Sequence, residues 1–164
     1  MTTQERTRLI ESYGQAYHLL TEAIKQLPPE MWHFKPAPNR WSVHEIVVHI
    51  ADSEANSYIR ARRGIAEPGS PILGYDQDGW SAALQYAEQS LDEYLELFRW
   101  LRHTTYQLIR NLPEASWSNT YVHSENGPTT LEEWLIIYER HIPGHIHQMQ
   151  QNYDAWQLAD NSKK

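Results

Sequence analysis

The sequence predicts an all-α protein, a four-helix bundle, on three observations. Capping-box patterns, a Ser or Thr followed three residues later by Glu, occur at Thr2/Glu5, Ser42/Glu45, Ser90/Glu93 and Thr129/Glu132. Each opens a run of good helix formers, and proline or glycine punctuates the run ends. No stretch sustains the period-two alternation of a half-buried strand, so little or no sheet is expected.

The elements follow in order. Helix one runs from about Thr3 to Leu27 and stops at Pro28 and Pro29. Residues 28–41 (PPEMWHFKPAPNRW) form a proline-rich, extended link. Helix two runs from Val43 to about Arg63, ahead of Gly64, with Trp41 and Ile46 spaced as a hydrophobic staple. Helix three covers Leu91 to Leu112, ahead of Pro113, and helix four covers Thr130 to about Leu158. Residues 160–164 read as a frayed tail. Between helices two and three lies a long connection, residues 65–89, with a short helix expected over Trp80 to Glu88. Antiparallel neighbours do not need so long a link, whereas consecutive helices running the same way do. The expected order is therefore up-down-down-up, with the crossover between helices two and three. The 164 residues predict a single domain over 1–164.

Composition narrows the function. With 14 basic and 21 acidic residues the net charge is −7, which argues against nucleic acid or an anionic membrane as partner. The absence of cysteine removes thiolate nucleophiles, cysteine metal sites, iron–sulfur clusters and disulfides. MTTQERTRLIESYG has no apolar signal-peptide core, and no apolar run approaches the ~20 residues of a membrane span. A cytoplasmic protein acting on a small-molecule substrate is expected.

Three histidines carry the chemistry. His141 and His145 stand four residues apart on helix four and share one face. His49 lies on helix two, seven residues past its cap, about 10 Å along the axis. If helix two runs opposite to helix four, His49 comes level with His145 and within about one turn of His141. Three imidazoles with open positions are the ligand set of a catalytic metal site. Helix two also carries a polar stripe: Ser42, Glu45, His49, Asp52, Ser53, Asn56 and Arg60. Such a stripe reads either as a solvated face or as the wall of a site; Ile46 and Ile50 beside His49 favour the wall. Asp52 and Glu54 are placed either to accept from ring N–H groups or to sit in water. Gln148 lies near the same face of helix four as the histidine pair, as do Trp134 and Ile137. His147 points away and is expected to be exposed, and His18, His33, His44, His103 and His123 read as structural or surface residues. In the long connection, Tyr75, Asp76, Asp78 and Trp80 are candidates for a pocket mouth. Asp76 or Asp78 is a candidate base, although a plain turn rich in Asp and Gly is the commoner explanation. Pro143 and Gly144 fall between the two histidines of helix four, where proline costs about 3 kcal/mol and glycine about 1.

RWSVHEIVVHIADSE, PILGYDQDGW and WSNTYVHSENGPTTLEEWLIIYERHIPGHIHQMQ together resemble the DinB/YfiT-like superfamily of metal-dependent hydrolases over nearly the whole chain. The resemblance implies a four-helix bundle in up-down-down-up order, often a homodimer. It implies one divalent ion, zinc or nickel, on His49, His141 and His145. It also implies either hydrolysis or S-transfer with a low-molecular-weight thiol such as bacillithiol; with no cysteine in the chain, that thiol is a cosubstrate. The chain departs from the family at Pro143 and at Gly144, where many members carry a further histidine. The alternative is a non-catalytic protein of the same fold that binds a metal or small ligand. The abundance of Trp and Tyr adds to the expectation of a dimer.

Overall fold

The structure, a computed structural model, describes residues 1–162. Lys163 and Lys164, the end of the tail expected to fray, lie outside the described residues. Asp160 and Asn161 belong to the last helix rather than to a tail.

Predicted helix one is two helices, α1 (Thr3–Gly14) and α2 (Ala16–Lys25), parted at Gln15. Helix two is α3 (Val43–Ala66). Its box at Ser42 and Glu45 is formed in both directions, and so is that of α1 at Thr2 and Glu5. Gly64 does not stop α3. A Cβ there would lie 2.8 Å from Leu131 Cδ2, so the glycine permits close packing against the last helix. The short helix of the connection, α4, spans Gln77–Ala83, earlier than predicted, because Asp76 rather than a later residue caps it. Helix three is α5 (Leu91–Ile109). At its start Ser90 accepts from Glu93 N, and no reciprocal bond is formed. Helix four is α6 (Leu131–Asn161), continuous through Pro143. Its capping box is one residue later than expected, at Thr130 and Glu133. Thr129 is held in a strand instead, and Glu132 is drawn away to pair with Arg6.

A small sheet corrects the all-helical expectation. Strands β1 (Pro71–Ile72), β2 (Thr120–His123) and β3 (Gly127–Thr130) are ordered β1-β2-β3. β2 pairs parallel with β1 and antiparallel with β3. The longest strands have four residues, too short to show a periodicity before any helix signal.

Residue pairings give the helix directions. Trp41, just ahead of α3, meets Asn152 of α6, and within α3 Ser53 meets His141 and Ser57 meets Trp134, so numbers rise on one helix as they fall on the other. Between α3 and α5, Glu54 meets Arg102 and Arg62 meets Thr105, so numbers rise together and these two helices run the same way. One core cluster gathers Ile46, Ile50, Phe98, Ile142 and Met149; a second gathers Ile10, Tyr13, Ile109, Trp134 and Leu135. No described helix is long and apolar enough to cross a membrane.

Candidate metal centre

The antiparallel pairing of α3 and α6 brings His49 level with both histidines of α6. One ring nitrogen from each of His49, His141 and His145 lies within 4.8 Å of the others. The ring centroid of His49 is 4.9 Å from that of His145 and 5.6 Å from that of His141. His49 is 1% exposed, on a stretch of α3 where Ile46 and Ile50 are also buried, with its ring centroid 4.5 Å from that of Trp41. The other two histidines are partly exposed, and His141 borders a cavity.

Pro143 and Gly144 do not disturb this set. Both face solvent, and the Nε2 atoms of His141 and His145 stand 3.1 Å apart across the turn that contains them. His145 Nδ1 lies 3.0 Å from Gln148 Oε1. When that nitrogen donates, Nε2 of His145 keeps its lone pair and the ring is fixed in aim. Ser53 Oγ lies 3.5 Å from His141 Nε2.

Burial keeps the three rings neutral, because a charged imidazolium is poorly solvated there. It pulls His49 down to about 3, helped by repulsion from His145. His141 falls well below its ordinary value through burial, then through His145, His49 and Arg102. Burial lowers His145 also, opposed by its bond to Gln148. Both nitrogens of His49 and Nδ1 of His141 are buried without a hydrogen-bond partner. Unpaired polar atoms of this kind are costly and uncommon. Three neutral nitrogen donors converging on one point, some without protein partners, fit a divalent transition metal.

The remaining sequence candidates divide. Gln148 stands where the reading placed it. Asp52 faces Tyr86, whose hydroxyl donates to its Oδ2 at 2.5 Å, and no bond links it to a histidine ring. Glu54 is in neither of the places expected for it: it forms a fully buried ion pair with Arg102. Asp76 caps α4 by accepting from Gly79 N, which accounts for it as a helix start. Asp78 is exposed and borders a shallow cavity with Trp41 and Gln148. Tyr75 lines a cavity with His141 and Ser53, while Trp80 packs its ring 4.5 Å from that of Tyr75. The polar stripe of α3 is not a solvated face, since Ser42, Glu45, His49 and Ser53 are buried. Ile137, placed near the inward face by spacing, is 51% exposed. His147 is exposed, as expected.

Of three further cavity residues, Tyr138 was not singled out in the sequence, Arg60 was read only as part of the polar stripe, and His123 only as a structural or surface residue. Tyr138 and Arg60 are joined by a hydrogen bond, and His123 is buried on β2. The alternation of TYVH, whose second and fourth residues are buried, was the one hint for His123.

A family model described as the DinB superfamily matches residues 12–149. A Bacillus licheniformis protein named "putative metal-dependent hydrolase" is 28% identical over 144 residues, covering 87% of this chain and 82% of its own. A Bacillus cereus protein of the same name is 30% identical over 132 residues, covering 79% and 76%. Among solved structures, YfiT from Bacillus subtilis, described as a probable metal-dependent hydrolase with an unusual four-helix bundle topology, superposes with a TM-score of 0.85. The identity is 24%, with 93% of this chain and 87% of that one covered. A mycothiol-dependent maleylpyruvate isomerase superposes with a TM-score of 0.67 at 13% identity, covering 91% of this chain and 61% of that one. With most of its length matched by the family model, the chain belongs to the DinB superfamily.

Proposed function

We propose that the protein is a metal-dependent hydrolase whose single divalent ion is held by His49, His141 and His145. The observation that carries this is the convergence of three neutral imidazoles, one buried and two partly exposed, with nitrogens of His49 and His141 left unpaired by the protein. The names of the curated relatives support the reading. Zinc and nickel both suit an all-imidazole set. Such an ion supplies Lewis acidity toward a substrate oxygen. The protein's own groups do the rest. Gln148 orients His145, and Trp41 shields His49 from water. Tyr75, whose phenol burial pushes up to about 12, stays protonated as a donor on the cavity side of His141.

The residue pairings support an up-down-down-up order, with α1 and α2 together as the first helix. This first helix meets α5 in the opposite sense, through Glu11 of α1 with Tyr106 and Tyr17 of α2 with Phe98. Its α1 part runs the same way as α6, through Arg6 with Glu132 and Ser12 with Glu139. A thiol-transfer reading is the second possibility; the lack of cysteine requires that any thiol enter as a cosubstrate.

The test is a panel of small esters and amides, and of electrophiles offered with a low-molecular-weight thiol, run with zinc- or nickel-loaded protein. Ester or amide turnover that a chelator abolishes and metal restores is the expected result. Turnover only in the presence of thiol would select the second reading. Metal-loaded protein inert toward the whole panel would favour a binding role.

A further inference from the structure

Beside His141 the protein encloses a cavity of about 160 Å³ lined by Ser53, Arg60 and Tyr75. It adjoins a larger one of about 380 Å³, with Arg60, His123, Asn126, Ile137 and Tyr138 in the walls of both. The outer cavity is faced by Tyr121, Pro128, Ile136 and Ile137, a largely apolar surface. Arg60 thus stands where the apolar cavity meets the histidine site.

The guanidinium of Arg60 is incompletely matched. Nη1 donates to the Tyr138 hydroxyl at 2.8 Å, and Nη2 reaches Leu73 O at 3.4 Å. Nε is buried without a partner, and among the described residues no carboxylate pairs with this arginine. The Tyr138 hydroxyl, accepting from Arg60, has its own proton left to give. The Tyr75 hydroxyl is buried and near Ser53, outside bonding geometry. Arg60 Nε and the two tyrosine hydroxyls thus leave donors without protein acceptors beside one small space. Half-buried arginine without a counter-ion is a recognised way to hold a carboxylate.

We propose that Arg60, with the hydroxyls of Tyr75 and Tyr138, forms a subsite for the carboxylate of a small monoanionic organic acid. Its apolar body lies along Pro128, Ile136 and Ile137. The subsite rests on the reading above for its relation to the chemistry at His141, and defines the substrate class for it. A single carboxylate fits better than a dianionic phosphate. One guanidinium serves the space, and Glu125 and Glu133 stand in the walls of the two cavities. Glu133 is committed to the cap of α6. Both acids repel a second negative charge.

The experiment titrates phenylacetate, the neutral phenylacetamide and phenyl phosphate into wild type, Arg60→Gln, Arg60→Lys and Tyr75→Phe, followed by NMR shifts. Zinc content and circular dichroism are recorded for each variant. The expected result is phenylacetate binding weakened about tenfold or more in Arg60→Gln and partly regained in Arg60→Lys. Phenylacetamide should bind wild type more weakly, and phenyl phosphate no more tightly, than phenylacetate. Zinc content should not change in the Arg60 variants. If Arg60→Gln fails to fold, Tyr75→Phe carries the test, with a loss of about threefold or more expected. Equal phenylacetate binding by wild type and the folded variants, no binding by wild type, or a clear preference for the phosphate would overturn the subsite. A His49→Ala variant separates the two readings. It should lose zinc and keep Arg60-dependent phenylacetate binding, and that binding should persist even if wild type itself proves unable to hold zinc.

Discussion

Two buried polar groups lie little more than one turn apart on α3, and the structure treats them in opposite ways. Glu54 is fully buried, yet its oxygens accept from the Tyr13 hydroxyl and from Arg102 Nη2, each at 2.6 Å. Arg102 in turn donates to Tyr138 O and lies over the Tyr13 ring at 3.9 Å. His49 is 1% exposed and neither ring nitrogen has a partner. Burial is common to both; satisfaction is not. A paired buried charge is structure, because removing either partner strands the other. The His49 ring, with both nitrogens unpaired, has no such internal account, and it converges with His141 and His145 on a point that a cation fits. The difference marks which of the two is the site.

The largest expected effect comes from the paired region. Arg102→Met leaves Glu54 uncompensated and should destabilise the fold by about 3–5 kcal/mol, read from urea unfolding. Zinc bound per folded molecule should stay the same. A small loss of stability, or zinc lost from the folded fraction, would blur the distinction between the regions.

The histidine region should answer to pH instead. In the metal-free protein His49 titrates near 3, well below an unfolded histidine near 6.5. Between those values the unfolded chain binds more protons than the native one, so stability rises with pH. The contribution is whole above about 6.5 and is lost as pH falls toward 3. Unfolding midpoints of His49→Ala, measured against wild type over this range, should lose part of that slope. An identical slope in both proteins would place the acid sensitivity elsewhere.

A smaller effect tests whether the Pro143–Gly144 turn matters to the site. A Cβ at Gly144 meets nothing within 4 Å, so Gly144→Ala should stabilise α6 by about 1 kcal/mol. Zinc content should be unchanged; a drop would mean that the turn sets the aim of the two histidines. The smallest effect belongs to His147, exposed and two residues from His145. His147→Ala should move stability by no more than about 0.5 kcal/mol and leave zinc content alone, by thermal unfolding and elemental analysis.

The same contrast explains what the sequence could tell. Helices two to four were legible because caps and breaks are local: Ser42 with Glu45 reads the same in the chain and in the structure. The box at Thr129 was misplaced by one residue because strand pairing, a long-range event, claims Thr129. The histidine set was legible because its i, i+4 spacing is local, and helix direction then places His49. Glu54 with Arg102, and Arg60 with Tyr138, were not legible: their partners lie 48 and 78 residues apart, and no spacing rule joins them. Gly64 read as a stop because glycine often ends helices, whereas here Leu131 packs against the space it leaves.

What decides between a site and a merely buried cluster is whether His49, His141 and His145 take up a cation. The direct measurement is elemental analysis of tag-free wild type and His49→Ala after reconstitution with zinc or nickel at neutral pH and removal of free metal. The prediction is about one ion per wild-type chain and a large loss in a folded His49→Ala variant. Metal-free wild type, or full occupancy in His49→Ala, would contradict it.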